Sequence, residues 1–192
     1  MHKVPFFSCS LNRAMTLDTN SMVWTFLSWG RPFRLVSPLL DCLSPETTPI
    51  QIECDIILSA ALTRSGDVCV WWLNTIEGQY RAAVEELDKD ESTKAIVPEG
   101  GMVIPCHTLE IHEDPIKLPA LPDLPALPGT GLSGEECWKE TKLIKIAALT
   151  SCLIGLTNKG HVLKIDSLDP EYILAQDNIL VWKYVSKSAQ MI

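Results

Sequence analysis

The sequence predicts an all-β fold, mainly antiparallel, assembled from repeated units of three short strands, and three observations support this prediction. Residues 59–72 and residues 153–166 each contain a Leu-Thr pair, two polar residues, a glycine, one polar residue and a valine, in the same order. Residues 49–54 alternate between apolar and polar side chains, which is the period of a strand. Helical periodicity is missing from these stretches. Self-similarity of this kind indicates a repeat architecture.

The best-preserved unit contains three runs and one turn. Residues 49–54 (PIQIEC) suit a strand with one buried face. Residues 56–62 (IILSAAL) are small and apolar, as in a strand that is buried on both faces. The turn at 63–66 (TRSG) ends in Gly66, which can take the positive φ that a hairpin connection needs. Residues 67–72 (DVCVWW) are rich in β-branched and aromatic side chains and form the third strand.

The copies are related by fixed shifts along the chain. A shift of 94 residues aligns this unit with the last one without a gap, so that Ile50 meets Ile144, and a shift of 45 residues places a weaker copy upstream. Because 94 is close to twice 45, a degenerate fourth copy is predicted within residues 100–115. Three short strands at this spacing predict a partial β-propeller of about three to four blades, with an irregular Pro-rich insert and one short helix. The upstream copy pairs Leu17 with Leu62, Ser21 with Gly66, Val23 with Val68 and Phe26 with Trp71.

The units resemble the repeats of the regulator of chromosome condensation family. A repeat of that family reads Cys-Gly-x-x-His-Ser-x-Ala-Leu-Thr-x-x-Gly-x-Val, followed by an aromatic residue and Trp-Gly. The resemblance implies a β-propeller, and it extends over roughly residues 15–72 and 141–166, with the Trp-Gly ending in FLSWG at 26–30. The matching positions in the second unit are Cys54, Ser59, Ala61, Leu62, Thr63, Gly66, Val68 and Trp71, and those in the last unit are Leu156, Thr157, Gly160 and Val162.

Two family positions differ in this chain. The family glycine is replaced by Asp55 and Leu149, and the family histidine is replaced by Leu58 and Cys152. These units have therefore diverged from ordinary members of the family.

An acidic segment follows the second unit. In GQYRAAVEELDKDESTK, residues 78–94, the side chains of Tyr80, Ala83, Val84 and Leu87 have helical spacing. The segment is interpreted as a short surface helix or a flexible acidic loop with a solvated face. The alternative is a helix that binds a partner.

The sequence LPALPDLPALPG, residues 118–129, repeats Leu-Pro every three residues. Three residues make one turn of polyproline II, so the leucines form one apolar stripe. The first interpretation is a stiff connector whose leucines pack along a blade, and the alternative is a ligand for an aromatic groove of another protein. The leucines with a candidate role in partner binding are Leu118, Leu121, Leu124 and Leu127.

Two adjacent tryptophans end the third strand of the best-preserved unit. Since side chains alternate along a strand, Trp71 and Trp72 lie on opposite faces, and one of them is expected to be partly exposed. Trp72 is a candidate partner-binding residue, because an exposed tryptophan can anchor an interface. The alternative is packing against a neighbouring blade.

The composition is that of a globular protein inside the cell. Hydrophobic residues make up 46% and charged residues 21% of the 192 residues. Residues 1–20 lack the apolar core of a secretory signal, and the seven cysteines are odd in number and contain no CxxC pair. We therefore expect a cytoplasmic or nuclear location and no membrane partner. The net charge of −8 repels phosphate backbones and argues against binding of nucleic acid.

No catalytic or cofactor-binding constellation stands out. Cys106, His107 and His112 lie close in sequence, but a metal site needs a fourth ligand and a recognised spacing. No nucleophile motif of the Gly-x-Ser-x-Gly kind occurs. His161 follows a turn glycine and is expected to face solvent. We predict no catalytic residue, no metal, no cofactor and no enzyme activity.

The insert, together with ETKLIKIAAL and GLTNKGHVLK, is similar to fungal proteins that join an F-box to regulator of chromosome condensation repeats. The similarity implies an F-box ubiquitin-ligase adaptor whose propeller recognises the substrate. No F-box is visible, so Skp1 is expected as a partner only where an F-box exists outside this chain. The predicted function is protein–protein interaction, as the substrate-recognition part of such an adaptor, with a ubiquitination substrate as partner. The alternative that the family implies is a guanine nucleotide exchange factor or a chromatin-binding propeller.

The predicted organisation has four parts. They are an N-terminal segment at 1–14, repeat units one and two at 15–77, an acidic and Pro-rich insert with the degenerate repeat at 78–140, and the later repeat unit with a C-terminal segment at 141–192. Propellers close with about four to eight blades and so protect their strand edges. The chain is therefore expected to be a fragment of a longer protein, and the alternative is an incomplete array with exposed edge strands.

Overall fold

A computed structural model describes residues 6–27, 31–90, 106–132, 139–174 and 180–185, and in these residues the strands form three sheets. The strands are β1 (Phe6–Cys9), β2 (Ala14–Leu17), β3 (Val23–Phe26), β4 (Phe33–Val36), β5 (Pro49–Cys54), β6 (Leu58–Thr63), β7 (Val68–Trp72), β8 (Leu109–His112), β9 (Ile116–Lys117), β10 (Leu143–Leu149), β11 (Cys152–Thr157), β12 (Val162–Ile165) and β13 (Lys183–Tyr184). Blade 1 has the order β1-β2-β3-β4-β8, blade 2 has β5-β6-β7-β9, and blade 3 has β10-β11-β12-β13. Only the β4–β8 pair is parallel among these described strands. The predicted fold class, a mainly antiparallel partial propeller, is confirmed.

The turn between the second and third strand has the same geometry in all three blades. In blade 2 the amide of Thr63 donates to the carbonyl of Asp67 at 2.8 Å, and the amide of Gly66 donates to the carbonyl of Thr63 at 3.0 Å. The same two bonds recur 45 residues earlier and 94 residues later. The last turn residue has a φ of 60° at Ser21, 99° at Gly66 and 86° at Gly160. The backbone therefore repeats in the register of the sequence, with one serine where the conformation favours glycine.

The first strands of blades 2 and 3 share a β-bulge. β5 shifts its register after Pro49, and β10 shifts after Leu143. The extra residue is Ile50 in one strand and Ile144 in the other, which are the isoleucines that the shift of 94 residues pairs. A bulge bends its strand locally, so β5 and β10 bend at equivalent points.

Blade 2 lies between blades 1 and 3, and every residue of β6 and β7 is buried. Because side chains alternate along a strand, the two strands supply two apolar clusters. Ala61, Cys69 and Trp71 pack against blade 1 in what we call the blade 1–2 seam. Leu62 and Val68 pack against blade 3 in the blade 2–3 seam. The prediction of a strand buried on both faces is confirmed, because each face has a blade on it.

A side-chain amide joins blades 2 and 3. Gln51 is 9% exposed, and its Nε2 donates to the carbonyl of Ile146 at 2.7 Å. The amide of Ile146 in turn donates to Gln51 Oε1 at 3.0 Å. Since β10 is an edge strand of blade 3, Gln51 supplies hydrogen-bond partners to two backbone groups on that edge.

The predicted helix is present and starts earlier than the acidic segment. Helix α1 (Leu73–Leu87) follows β7 directly, and Ile76 and Tyr80 on its inner side are buried in the blade 1–2 seam. The rings of Tyr80 and Phe33 lie 5.4 Å apart. A one-turn helix, α2 (Pro170–Leu174), lies in the chain between β12 and β13 of blade 3. No helix of the described ranges is long and apolar enough to cross a bilayer, and residues 91–94 of the acidic segment lie outside those ranges.

The segment after α1 adds strands to existing blades. β8 lies within the region of the predicted fourth copy and pairs in parallel with β4 of blade 1. β9 then pairs with β7 of blade 2. Residues 106–115, the part of that region that the structure describes, therefore extend blade 1 at its edge and do not form a separate blade.

Candidate protein-interaction surface

Three aliphatic side chains are exposed where the first two strands of each blade meet. Leu11 is 89% exposed, Ile56 is 42% exposed and Leu149 is 50% exposed. Leu11 and Ile56 are separated by 45 residues, so they occupy the same repeat position, and Leu149 precedes the equivalent turn of blade 3. We call these three residues the hairpin rim. Single exposed apolar residues are common on protein surfaces, so it is their recurrence at the hairpin tips of three neighbouring blades that makes these residues a candidate interaction site.

Arg13 holds the tip of blade 2 against blade 1. Its side chain is buried, and its Nε and Nη2 donate to the carbonyl of Asp55 at 3.0 Å and 2.8 Å. Nη2 also donates to the carbonyl of Leu58 at 2.5 Å. Burial lowers the pKa of the Arg13 guanidinium, and Cys54 and Asp55 act in the opposite direction. The hairpin tip of blade 2 is therefore fixed against blade 1 before any partner arrives, which reduces the entropy lost on binding.

An open cleft of about 220 Å³ adjoins the rim between blade 1 and α1. Its floor is apolar, and its outer wall carries the ion pair between Arg81 and Glu77. The hydroxyl of Tyr80 donates to the carbonyl of Arg31 at 3.3 Å, which keeps the aromatic ring in the floor. Small-molecule pockets usually measure about 300 Å³ or more, so this cleft suits a side chain of a partner protein better than a cofactor. The cleft is lined by Asn12, Leu27, Leu73, Glu77, Tyr80 and Arg81.

None of the three rim residues is among those that the sequence predicted for partner binding. Leu11 stands outside the predicted strands. The sequence predicts that Ile56 begins the buried strand at 56–62, but that strand begins at Leu58, and Ile56 is exposed in the hairpin turn. The shift of 45 residues pairs them, and that is the sequence feature that identifies them. Their exposure depends on the hairpin geometry, which the sequence pattern does not contain.

The expectation that one tryptophan of the pair is partly exposed is wrong. Trp71 is 1% exposed and Trp72 is 3% exposed, because blade 2 has a neighbour on each face. Trp72 Nε1 donates to the carbonyl of Leu168 at 3.0 Å, so its polar atom is also used inside the fold. The alternative, packing against a neighbouring blade, describes Trp72 correctly. A side chain with so little exposed area offers no surface to a partner.

The leucine stripe packs on this chain over most of its length. We call residues 118–130 the Leu-Pro strap. Leu118 is 4% exposed and belongs to the blade 2–3 seam, and Leu121 and Leu124 pack against the same seam. Leu127 is 42% exposed. The interpretation as a connector that packs along a blade therefore describes the first three leucines, and only Leu127 is available to another protein.

Polar contacts fasten the Leu-Pro strap to the turn of blade 3. His161 Nε2 donates to the carbonyl of Pro125 at 2.6 Å, and the ammonium of Lys159 lies 3.0 Å from Asp123 Oδ1. The Lys159 side chain is 3% exposed, whereas that of Asp123 is 89% exposed. The hydrogen bond and the charge of Lys159 lower the pKa of Asp123. The expectation that His161 faces solvent is wrong, because the strap covers it.

Most residues at the matching repeat positions serve the turns and the seams. Leu62, Thr63, Val68 and Trp71 are buried, and so is Thr157. In blade 3, Leu156 is half-buried and Val162 is 44% exposed, because their face has no blade on it in the described part of the chain.

The Cys106–His112 stretch does not assemble a metal centre. Cys106 and His112 are exposed and His107 is half-buried. Among the residues that the structure describes, no group of three His, Cys, Asp or Glu side chains is placed to hold an ion.

Comparison with family models gives no match, and comparison with curated proteins gives no relative. Among solved structures, the chain is similar to Prp20p from Saccharomyces cerevisiae, described with its binding properties to Gsp1p and histones, with 15% identity over 85% of this chain and a TM-score of 0.46. A structure of Kap60 bound to yeast RCC1 (Prp20) gives the same values. Human WBSCR16 is similar with 15% identity over 86% of this chain and a TM-score of 0.42.

The chain spans about a third of the length of these proteins, 32% of Prp20p and 34% of WBSCR16. The assignment of three blades rests on the sheets, turns and bulges of this chain.

Proposed function

We propose that this propeller binds a protein partner through the hairpin rim and the adjoining cleft. The observation that carries the proposal is the exposure of Leu11, Ile56 and Leu149 at the hairpin tips of three blades, of which Arg13 fixes the tip of blade 2 against blade 1. Three separate aliphatic side chains at one end of three blades offer anchors to an apolar segment, and the Arg81–Glu77 pair offers a polar edge. The proposed action is binding, and no reaction is assigned to it.

In the finer form of this proposal, the chain is the substrate-recognition part of an F-box ubiquitin-ligase adaptor. The similarity of the insert to fungal F-box proteins with these repeats supports this role. The rim then holds the ubiquitination substrate, and Skp1 binds an F-box outside this chain. We place this activity inside the cell, in agreement with the six described cysteines, which are all free.

Site-directed photocrosslinking in cells tests the binding surface. A photoreactive residue is placed at Leu11, Ile56 or Leu149, and at Leu43 as a control, because Leu43 is 90% exposed in a loop away from the rim. We expect the three rim positions to give the same discrete adduct and Leu43 to give none. Equal adducts from all four positions would overturn the proposal.

A separate measurement tests the adaptor role. Purified Skp1 is expected to bind the complete protein, and replacement of Leu11 and Ile56 by aspartate is expected to lower ubiquitination of the crosslinked partner without changing Skp1 binding. A complete protein that does not bind Skp1 rules out the adaptor and leaves the rim as a binding surface.

The alternative function is that of a guanine nucleotide exchange factor or a chromatin-binding propeller, which the family resemblance of the repeats supports. The net charge of −8 favours an exchange factor over a chromatin binder, because it repels a phosphate backbone. A nucleotide release assay with the complete protein and small GTPases tests this alternative, and release at the uncatalysed rate would exclude it.

A further inference from the structure

The Leu-Pro strap lies against aromatic side chains of its own chain that donate hydrogen bonds to it. Trp182 Nε1 donates to the carbonyl of Pro119 at 2.9 Å, and His161 Nε2 donates to the carbonyl of Pro125. These two carbonyls are six residues apart, which is two turns of polyproline II, so they lie on the same side of the strap. The ring of Tyr184 packs edge-on against that of His161, with the centroids 5.5 Å apart. Grooves that bind Pro-rich segments are lined by aromatic side chains in the same way.

The surface under the strap also selects for an acidic residue. The buried ammonium of Lys159 has its carboxylate partner in Asp123 of the strap. Thr141 Oγ1 accepts from the amide of Leu124 at 3.0 Å and donates to Asp123 Oδ1 at 3.3 Å. A buried ammonium needs an ionic partner, so a neutral segment fits this surface poorly. The surface is formed by Thr141, Lys159, His161, Trp182 and Tyr184, and we call it the strap groove.

The leucines complete the pattern that the strap groove accepts. Leu118, Leu121 and Leu124 pack in the blade 2–3 seam, one turn of polyproline II apart. Together with the acidic position, they give the pattern Leu-Pro-x-Leu-Pro-Asp-Leu-Pro, which is the sequence of residues 118–125.

The strap does not fill the groove completely. A cavity of about 60 Å³ remains beside Ala120, between the turn at Gly66 and residues 141–143. A side chain larger than alanine at this position gains contacts that the strap lacks. A segment from elsewhere with such a residue therefore has an advantage over the strap.

The end of the strap is built to open. Gly129 and Gly131 have φ values of 86° and 72°, and among the described atoms nothing lies within 4 Å of the position that a Cβ would take at either glycine. Glycines without packing contacts change backbone conformation at little cost. The amide of Leu127 donates to the carbonyl of Lys159 at 3.0 Å, so opening from this end begins with the loss of that bond.

We propose that the strap groove binds a polyproline II segment of another protein and that the strap is a displaceable occupant of the same site. The partner segment has the pattern Leu-Pro-x-Leu-Pro-Asp-Leu-Pro, with Asp or Glu at the acidic position and a residue larger than alanine at x. Because the strap belongs to the chain, it competes at an effective concentration on the order of mM. The groove lies at the turns of blades 2 and 3, at the other end of β6 and β11 from the hairpin rim, so it is a second binding site.

A fluorescent peptide with the sequence of residues 118–129 tests the groove on the full chain by anisotropy. Leu121→Ser together with Leu124→Ser in the protein weakens the strap and leaves the groove residues unchanged. We expect the peptide to bind this double variant about tenfold more tightly than the wild type, because the competing strap is weakened. Trp182→Phe in the double variant keeps the aromatic ring but removes the donor to the Pro119 carbonyl, and it is expected to weaken binding about fivefold.

A peptide with Asp123→Lys is the matched control for charge. It is expected to bind the double variant about tenfold more weakly than the unchanged peptide, since its ammonium meets that of Lys159. Equal affinity of the wild type and the double variant for the unchanged peptide would overturn the proposal. So would equal affinity of the double variant for the two peptides.

Hydrogen exchange on the wild-type chain tests displacement without any substitution in the protein. The amides of Leu124 and Leu127 donate in strap contacts, so they are expected to exchange faster when excess peptide fills the groove. The amide of Leu118 donates to the carbonyl of Val68 at the end of β9 and is expected to keep its rate. A peptide with Ala120→Val is expected to give the same effect at a lower concentration.

Unchanged exchange at Leu124 and Leu127 in millimolar peptide would contradict displacement of the strap. Light scattering separates a foreign segment from the strap of a second copy. The wild-type chain is expected to keep the same mass with and without peptide. A mass of two chains that the peptide reduces to one would assign the groove to the strap of a second copy and overturn the proposal.

Discussion

Replacement of Gln51 by leucine tests the blade 2–3 seam at the buried amide bridge between Gln51 and Ile146. The side chain is 9% exposed and pairs with the carbonyl and the amide of Ile146 at 2.7 Å and 3.0 Å. Leucine has a similar volume but no donor or acceptor, so both groups of Ile146 lose these partners. Two buried unpaired groups cost about 4 kcal/mol, and burial of the leucine offsets about 1 kcal/mol of this. The free energy of unfolding is therefore expected to fall by about 3 kcal/mol.

Urea denaturation followed by tryptophan fluorescence measures this loss, because Trp72 lies in the same seam. The melting temperature is expected to fall by about 6 to 12 °C for a chain of this length. Gln79→Leu is the matched control, since Gln79 is exposed on α1, and it is expected to change stability by no more than about 0.5 kcal/mol. Hydrogen exchange at the amide of Ile146 is expected to accelerate in Q51L. Equal stabilities of Q51L and Q79L would refute the amide bridge as a source of stability.

Three further predictions concern single residues. Leu118→Ala is expected to lower the free energy of unfolding by about 2 to 5 kcal/mol, whereas Leu127→Ala, at a position 42% exposed, is expected to lower it by less than about 1 kcal/mol, and equal losses in urea would contradict the packing of the strap. Burial raises the pKa of Cys69 to about 11, so iodoacetamide at pH 8 is expected to modify the exposed Cys106 in the folded protein and Cys69 only in urea, as mass spectrometry of the peptides will show; a native-state adduct on Cys69 would be inconsistent with its burial. The buried Lys159 holds the pKa of Asp123 below its usual 3.8, so the ion pair stabilises the fold fully above that pH and loses its effect as the pH falls through the lowered pKa. Asp123→Asn is therefore expected to flatten the fall of the melting temperature on acidification below about pH 4. An unchanged slope would speak against the ion pair.

The turns show how far the sequence carries the fold. Gly66 and Gly160 predict a positive φ at the last turn position, and the shift of 45 residues places Ser21 at the same turn position of blade 1. Local sterics and the period of two act within a few residues, so the strands, the turns and their register are predictable without neighbours. Even the two bulges fall on residues that the gap-free alignment pairs.

Burial is the property that these local rules miss. The same period of two places Trp71 and Trp72 on opposite faces, but it does not say that both faces carry a blade. Nor does it say that a leucine-proline segment covers His161, or that β8 pairs in parallel with a strand about 75 residues away. Such contacts join segments that are distant in the chain, and their geometry is set by packing and not by propensity.

The sequence by itself determined that this protein is a set of antiparallel units repeated at 45 and 94 residues, with Gly or Ser at each turn and with an acidic segment and a Leu-Pro segment between units. It did so because hydrophobic periodicity and backbone sterics are local. Only the tertiary structure decided that Trp72 and Leu118 belong to a seam and that the hairpin rim is exposed. These depend on which surfaces meet, and a surface is buried only by a neighbour that the local pattern does not describe.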